Sequence, residues 1–234
     1  MPNIYAIADL HLCSSVPEKS MDVFGPLWEN AVKRLEDSWR TTVREEDLVL
    51  IPGDISWAMN LEDALPDLFF LGSLPGKKLL LRGNHDFWWS SVSKIRRILP
   101  DNMFVLQNDS FRFFHTEISG CRGWTIPESS GFKESTDRKL FIREKNRFQL
   151  SLNTLSPDTD HIVMFHFPPF SENGTPCDLV SMLPPFHVKA CVYGHLHGTH
   201  AHEVAFQGEF QSTVFSLVSA DYLQFKPKLI WTTD

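Results

Sequence analysis

Cysteine is scarce in this 234-residue sequence: Cys13, Cys121, Cys177 and Cys191 lie far apart and form no C-x-x-C pair. A small disulfide scaffold and a cysteine-rich zinc site are thereby excluded, and reduced thiols of a cytoplasmic protein are expected. No uninterrupted apolar run approaches the ~18 residues of a membrane span. The first fifteen residues have no basic start, and Asp9 and His11 break their apolar stretch, so no signal peptide is expected. Positive charge is also short. Lys+Arg number 22 against 29 Asp+Glu, a formal charge of -7, which argues against a broad electrostatic grip on nucleic acid. A small anionic substrate stays open, because bound divalent cations reverse the charge inside an acidic pocket. There is no internal repeat, low-complexity tract or convincing linker, so residues 1–234 read as one domain.

What is present is a recurring unit: a short apolar run that stops abruptly at polar residues. Ile4 to Ala8 ends at Asp9 and His11, and Leu48 to Ile51 at Pro52, Gly53 and Asp54. Leu79 to Leu81 ends at Gly83, Asn84, His85 and Asp86. Ile162 to Phe165 ends at His166, and Ala190 to Tyr193 at Gly194, His195 and His197. Such runs read as buried strands. Between them, Phe24 to Leu35 has helical spacing, as do Leu61 to Leu71, Ser90 to Leu99 and the more polar Asp137 to Leu155. After Gly198 the pattern predicts strands over Glu203–Phe206, Glu209–Leu217 and Pro227–Trp231. Strands alternating with helices, then a run of strands, imply βαβ units followed by an antiparallel portion.

In sheets with βαβ connections, ligands sit beyond the carboxyl ends of the strands. Five runs deliver Asp, Asn or His at that end, so residues far apart in sequence can converge. The set Asp9, His11, Asp54, Asn84, His166, His195 and His197 offers carboxylate, amide and imidazole donors. Seven donors are too many for one tetrahedral zinc and suit two metals sharing a carboxylate, an arrangement that stabilises both attacking and leaving oxygens in a displacement at phosphorus.

From this composition, Asp-x-His is expected by chance about 0.7 times and Gly-Asp about 0.8 times, whereas Gly-His-x-His is expected about 0.02 times and Gly-Asn-His-Asp about 0.001 times. The last two therefore carry the signal. Together the blocks D-L-H (Asp9 to His11), G-D (Gly53, Asp54), G-N-H-D (Gly83 to Asp86), H-F-P-P (His166 to Pro169) and G-H-L-H (Gly194 to His197) resemble the calcineurin-like metallophosphoesterases. The resemblance implies an α/β (α+β) fold, a four-layer α/β/β/α sandwich with two mixed β-sheets. It implies two divalent ions, with Mn favoured and Fe, Zn, Ni or Co as alternatives. Asp9, His11 and His197 would hold the first, Asn84, His166 and His195 the second, and Asp54 would bridge them. His85 would face the phosphoryl group, and a metal-bridging hydroxide would be the nucleophile. Many relatives carry an Asp three residues after the bridging one. Here that position is Trp57, so either another group, such as Asp86 or a backbone carbonyl, orients His85, or its acid role is weaker than usual.

The expected activity is hydrolysis of a small phosphorylated substrate, monoester or diester. The D-L-H-L opening, similar to cyclic-nucleotide phosphodiesterases and nucleoside-diphosphate-lipid pyrophosphatases, favours a diester of nucleotide type. A catalytically silent scaffold subunit is the alternative from another class, and a repair nuclease the third. Neither a membrane nor a nucleic-acid partner is expected, and oligomeric state is open. Other residues have plainer readings. His200 and His202 are expected as strand residues, Cys13 as a buried thiol, and Phe87, Trp88 and Trp89 as helix-core packing rather than a nucleobase stack. Lys133 to Arg147, with six basic residues against three acidic, reads as a solvated helix face. An alternative is that Arg122, Arg138, Arg143 and Arg147 form a rim for the non-reacting part of the substrate, since arginine matches phosphate bidentately; Arg122, Arg143 and Arg147 are the candidate substrate residues.

Overall fold

The computed structural model describes residues 1–233. Its strands are β1 (Asn3–Ala6), β2 (Leu48–Pro52), β3 (Lys77–Leu81), β4 (Met103–Val105), β5 (Phe111–Phe113), β6 (Thr116–Cys121), β7 (Asp160–Phe165), β8 (Val188–Tyr193), β9 (Gly208–Phe210), β10 (Thr213–Leu217) and β11 (Lys228–Thr232). Its α-helices are α1 (Ala31–Thr42), α2 (Leu61–Ser73), α3 (Val92–Arg96), α4 (Glu134–Leu152) and α5 (Thr199–Val204). One sheet has the order β11-β1-β2-β3-β4 and the other β5-β6-β7-β8-β10-β9. Both are mixed: their centres are parallel, and β11, β5 and β9 join antiparallel at the edges.

Strand periodicity explains the layering. Successive side chains face opposite sides, and both sides of these strands are apolar. Ile4, Ala6, Leu48, Leu50, Leu79 and Leu81 meet Ile162, Met164, Ala190 and Val192 in a core between the two sheets. The alternate residues Tyr5, Val49, Ile51 and Leu80 pack under Leu35 and Trp39 of α1, Leu68 of α2 and Ile95 of α3. On the other outer face, Val163, Phe165 and Cys191 pack under Phe141 and Phe148 of α4. Three cores between four layers make the expected α/β/β/α sandwich.

Several local expectations differ. Helix α1 starts at Ala31 rather than near Phe24. Gly25, at φ +115°, and Pro26 break the segment into short 3-10 turns over Met21–Phe24 and Pro26–Trp28, which leave Phe24 and Leu27 exposed. The expected strand at Glu203–Phe206 is instead the end of helix α5 and the turn after it, so His200 and His202 are helical. The last third is not wholly antiparallel, because β10 pairs parallel with β8. Cys13 is half-buried rather than buried, and all four thiols are free. Trp88 and Trp89 are core residues as expected, whereas Phe87 is exposed. Among the described residues no helix is long and apolar enough to cross a membrane.

Candidate metal centre

The carboxyl ends of β1, β2, β3, β7 and β8 open on one spot. Backbone bonds tie their loops together: Asp9 N–H donates to Gly53 O (3.0 Å), His11 N–H to Asp54 O (3.0 Å) and Gly194 N–H to His166 O (3.2 Å). The two sheets are joined beside it by Ala8 N–H to Val218 O (2.7 Å) and Ala220 N–H to Ala8 O (2.9 Å). Four of the seven candidate ligands, Asp9, His11, Asp54 and His195, have left-handed backbone, with φ +58°, +48°, +51° and +72°. Non-glycine residues rarely adopt this conformation, and it persists where surrounding contacts impose it, as at functional sites.

All seven expected ligands gather here. Ligand atoms of Asp9, His11 and His197 lie within 4.8 Å of one another, as do those of Asp54, His166 and His195. Each group could hold a cation. Asp54 Oδ2 is 3.9 Å from His11 Nε2 and 3.5 Å from His166 Nε2, one imidazole from each group. Asn84 Oδ1 is 2.6 Å from His166 Nε2, which adds an amide oxygen to the second group. The inner nitrogens of His11 and His197 face each other at 3.2 Å.

Outer hydrogen bonds aim these donors. His166 Nδ1 lies 3.0 Å from Pro52 O, leaving Nε2 turned inward. His197 Nδ1 lies 3.1 Å from Asp221 Oδ1, with the same result. Asp9 Oδ2 accepts His195 N–H at 2.8 Å, whereas buried Asp9 Oδ1 has no hydrogen-bond partner, and neither has buried His11 Nδ1. Asp221 was not anticipated. It follows β10, a sixth strand end at the same edge, so the strand-end rule points to it although no motif does.

The charges follow from burial. It pushes the Asp9 carboxyl up to about 8, with the Asp54 charge adding to the rise against the pull of His197, and it also raises Asp54. It lowers His166 to about 3 and depresses His11 and His195, with neighbouring imidazoles adding to the effect in all three. His197 goes the other way. Burial lowers it, but the Asp221 hydrogen bond and the Asp9, Asp221 and Asp54 charges together push it up to about 9. Without a cation, buried carboxylates and imidazoles are driven toward their neutral forms. An orphaned carboxylate oxygen, inward imidazole nitrogens and an all-O/N donor set fit divalent metals of the Mn, Fe and Zn kind.

His85 lines the same cavity of about 640 Å³ as His11, Asp54, His195 and His197. Its backbone N–H donates to Asp54 Oδ1 (2.8 Å), while its ring lies 4.6 Å from the Trp57 ring and 6.2 Å from Phe87. Asp86 does not orient that ring. Its carboxylate is taken by Asp54, Ile55, Ser56 and Gly83 N–H and by Trp88 Nε1–H, at 2.7–3.2 Å. Trp57, three residues after Asp54, packs on His85 instead. The arginines lie elsewhere: Arg122, Arg143 and Arg147 converge on Glu144, and Arg138 pairs with Glu134. None of them lines the His85 cavity.

The sequence profile described as calcineurin-like phosphoesterase matches residues 2–199. A Mycobacterium phage D29 protein, "Gene 66 protein", is 35% identical over 86 residues, which cover 37% of this chain and 41% of that protein. Among solved structures, a phosphopantetheinyl hydrolase from Mycobacterium tuberculosis superposes with a TM-score of 0.62 at 12% identity, covering 99% of this chain and 96% of the other. A protein of unknown function from Aquifex aeolicus gives 0.52 at 13%, covering 98% and 96%. A Thermus thermophilus protein gives 0.50 at 14%, covering 85% and 83%. At these identities the likeness is one of fold.

Proposed function

The chain belongs to the calcineurin-like phosphoesterase family, and from that premise we propose that it is a metal-dependent hydrolase of phosphoric esters. One observation carries the reading: Asp54, itself in the second ligand group, turns Oδ2 toward one imidazole of each group. Asp9, His11 and His197 would hold one divalent cation and Asn84, His166 and His195 the other, with Asp54 between; Mn is the favoured metal. When bound, such a pair supplies Lewis-acid charge to a phosphoryl group and lowers the pKa of water.

The chain's own residues do the rest. His85 stands at the cavity, held by its backbone bond to Asp54 and by Trp57, and its imidazole is the group to give a proton to the departing oxygen. Hydrogen bonds to Pro52 and Asp221 fix which nitrogens of His166 and His197 turn inward. A diester is favoured over a monoester. The main cavity is walled by Phe24, Leu27, Trp28 and Trp57, and a second, mostly apolar cavity of about 200 Å³ between Trp124, Phe167 and Phe206 shares His195 with it. Two compartments meeting at one ligand suit the two organic arms of a small phosphodiester of nucleotide type.

The test is hydrolysis of an aryl phosphodiester and an aryl phosphomonoester by the Mn²⁺-loaded protein beside Asp54→Ala and His85→Ala. Turnover that both substitutions largely remove, faster on the diester, is the expected result. Wild-type rates equal to those of either variant across several metals would overturn the reading.

A further inference from the structure

A separate cavity of about 230 Å³ shares no residue with the two at the metal centre. It opens beyond the ends of β3, β4 and β6, against one face of α4, and Arg82, Arg122, Arg147 and Glu144 line it. One oxygen of Glu144 serves three guanidinium groups: Arg147 Nη1 at 2.7 Å, Arg122 Nη2 at 3.5 Å and Arg143 Nε at 3.8 Å. The Glu144 side chain is only 1% exposed. Arg82 has no ion pair among the described residues, and the buried Nε atoms of Arg82 and Arg122 have no hydrogen-bond partner. The Asp86 carboxylate, the other negative group acting on Arg82, is already occupied by five N–H donors. Asp109, beyond Gln107, is held by Arg96 at 2.5 Å.

Four guanidinium charges thus face two committed carboxylates. Removing cations from water without a counter-charge is unfavourable, and an oxyanion supplies both the charge and the missing acceptors. Arginine forks match the geometry of phosphate bidentately. The volume is below the roughly 300 Å³ at which pockets for whole organic ligands begin, and suits one phosphoryl group. Glu144 beside it can accept a hydrogen bond from the P–OH of a hydrogen phosphate, a donor that sulfate lacks.

We propose that the cavity between Arg82, Arg122 and Arg147 is a second anion site that takes a phosphate group, either free inorganic phosphate or a second phosphoryl group on the substrate. Calorimetric titration of the full chain with inorganic phosphate, metal-loaded and after chelation, tests it without needing turnover. The expected result is a binding step that survives chelation, weakens with salt, is stronger for phosphate than for sulfate, and drops at least about tenfold in Arg147→Gln and Arg82→Gln. Arg147 is partly exposed (38%), so Arg147→Gln carries the test should Arg82→Gln fold poorly. No step after chelation, an unchanged step in folded Arg147→Gln, or sulfate binding as tightly as phosphate would each overturn the proposal. Kinetics of Arg147→Gln separate the two sources. A KM raised only for a doubly phosphorylated substrate identifies the substrate's own phosphoryl group, and an unchanged KM alongside the lost titration step identifies free phosphate.

Discussion

Asp221 Oδ1 lies 3.1 Å from His197 Nδ1, and its other oxygen accepts Gly198 N–H at 3.1 Å. The carboxylate, itself buried, thereby fixes both the ring and the loop that carries it, and leaves Nε2 as the free donor. His202 Nε2 approaches the same carboxylate at 3.3 Å. Asp221→Asn is expected to weaken metal affinity about 10- to 100-fold while activity returns at high metal concentration. Metal titrations of activity check this; equal apparent affinities would show that Asp221 does not aim the ligand.

The Trp57 ring lies 4.6 Å from His85 and is stacked at 4.8 Å on His11. His85→Ala is expected to lower kcat about 10²- to 10⁴-fold without loss of bound metal. Trp57→Ala should lower kcat about tenfold through misplacement of the His85 ring, and Trp57→Phe should recover most of it. Steady-state kinetics with metal content measured alongside decide the matter; metal loss in His85→Ala would make that residue a ligand rather than an acid.

Gly83 has no room for a side chain. A Cβ there would stand 2.1 Å from Asp54 Oδ1 and 2.3 Å from Asp54 N. Gly83→Ala must displace the bridging candidate or the loop bearing Asn84 and His85. A stability loss of about 1–3 kcal/mol and substoichiometric metal are expected, read by thermal unfolding and metal analysis. A variant with wild-type metal content and Tm would mean the loop is looser than its contacts imply.

Much of this site is legible in the sequence because its strands are buried on both faces, so continuous apolar runs end sharply where Asp9, Asp54, Asn84, His166 and His195 begin. What is not legible has local causes. Strands β4 and β5 have three residues each, too short for a period to register. The spacing that predicts α1 begins too early because Phe24, Leu27 and Trp28 continue it, although Gly25 and Pro26 forbid a helix there. Helix α5, six residues with three polar side chains in its first four, has no apolar stripe. Asp221 belongs to no motif, and only the parallel placement of β10 beside β8 brings it to His197. For Asp86 the missing information is direction: adjacency to His85 says nothing of where a carboxylate points.

The pKa pattern sets a pH dependence for the metal-free protein. Asp9, at about 8 when folded against 3.8 for an ordinary carboxyl, binds more protons folded than unfolded between those values. His197, at about 9 against 6.5, does so above pH 6.5. His11, His166 and His195 are depressed, so their opposite effect ends near pH 6.5. Stability falls with pH wherever the native state holds the extra protons. The chelator-treated protein should therefore lose stability from about pH 6.5 to 8, above which buried Lys78, lowered to about 8, works in the opposite direction. Metal binding displaces those protons, so the metal-induced rise in Tm should grow over the same range. Thermal unfolding across pH with and without Mn²⁺ measures both; a metal-free Tm that climbs from pH 6.5 to 8 would contradict the assignment.

The proposed hydrolase needs two cations, one on either side of Asp54, and anomalous diffraction from Mn²⁺-loaded crystals would locate them. Two peaks are predicted, one against Asp9, His11 and His197 and one against Asn84, His166 and His195, with the Asp54 carboxylate touching both. A single peak, or peaks away from these residues, would contradict it.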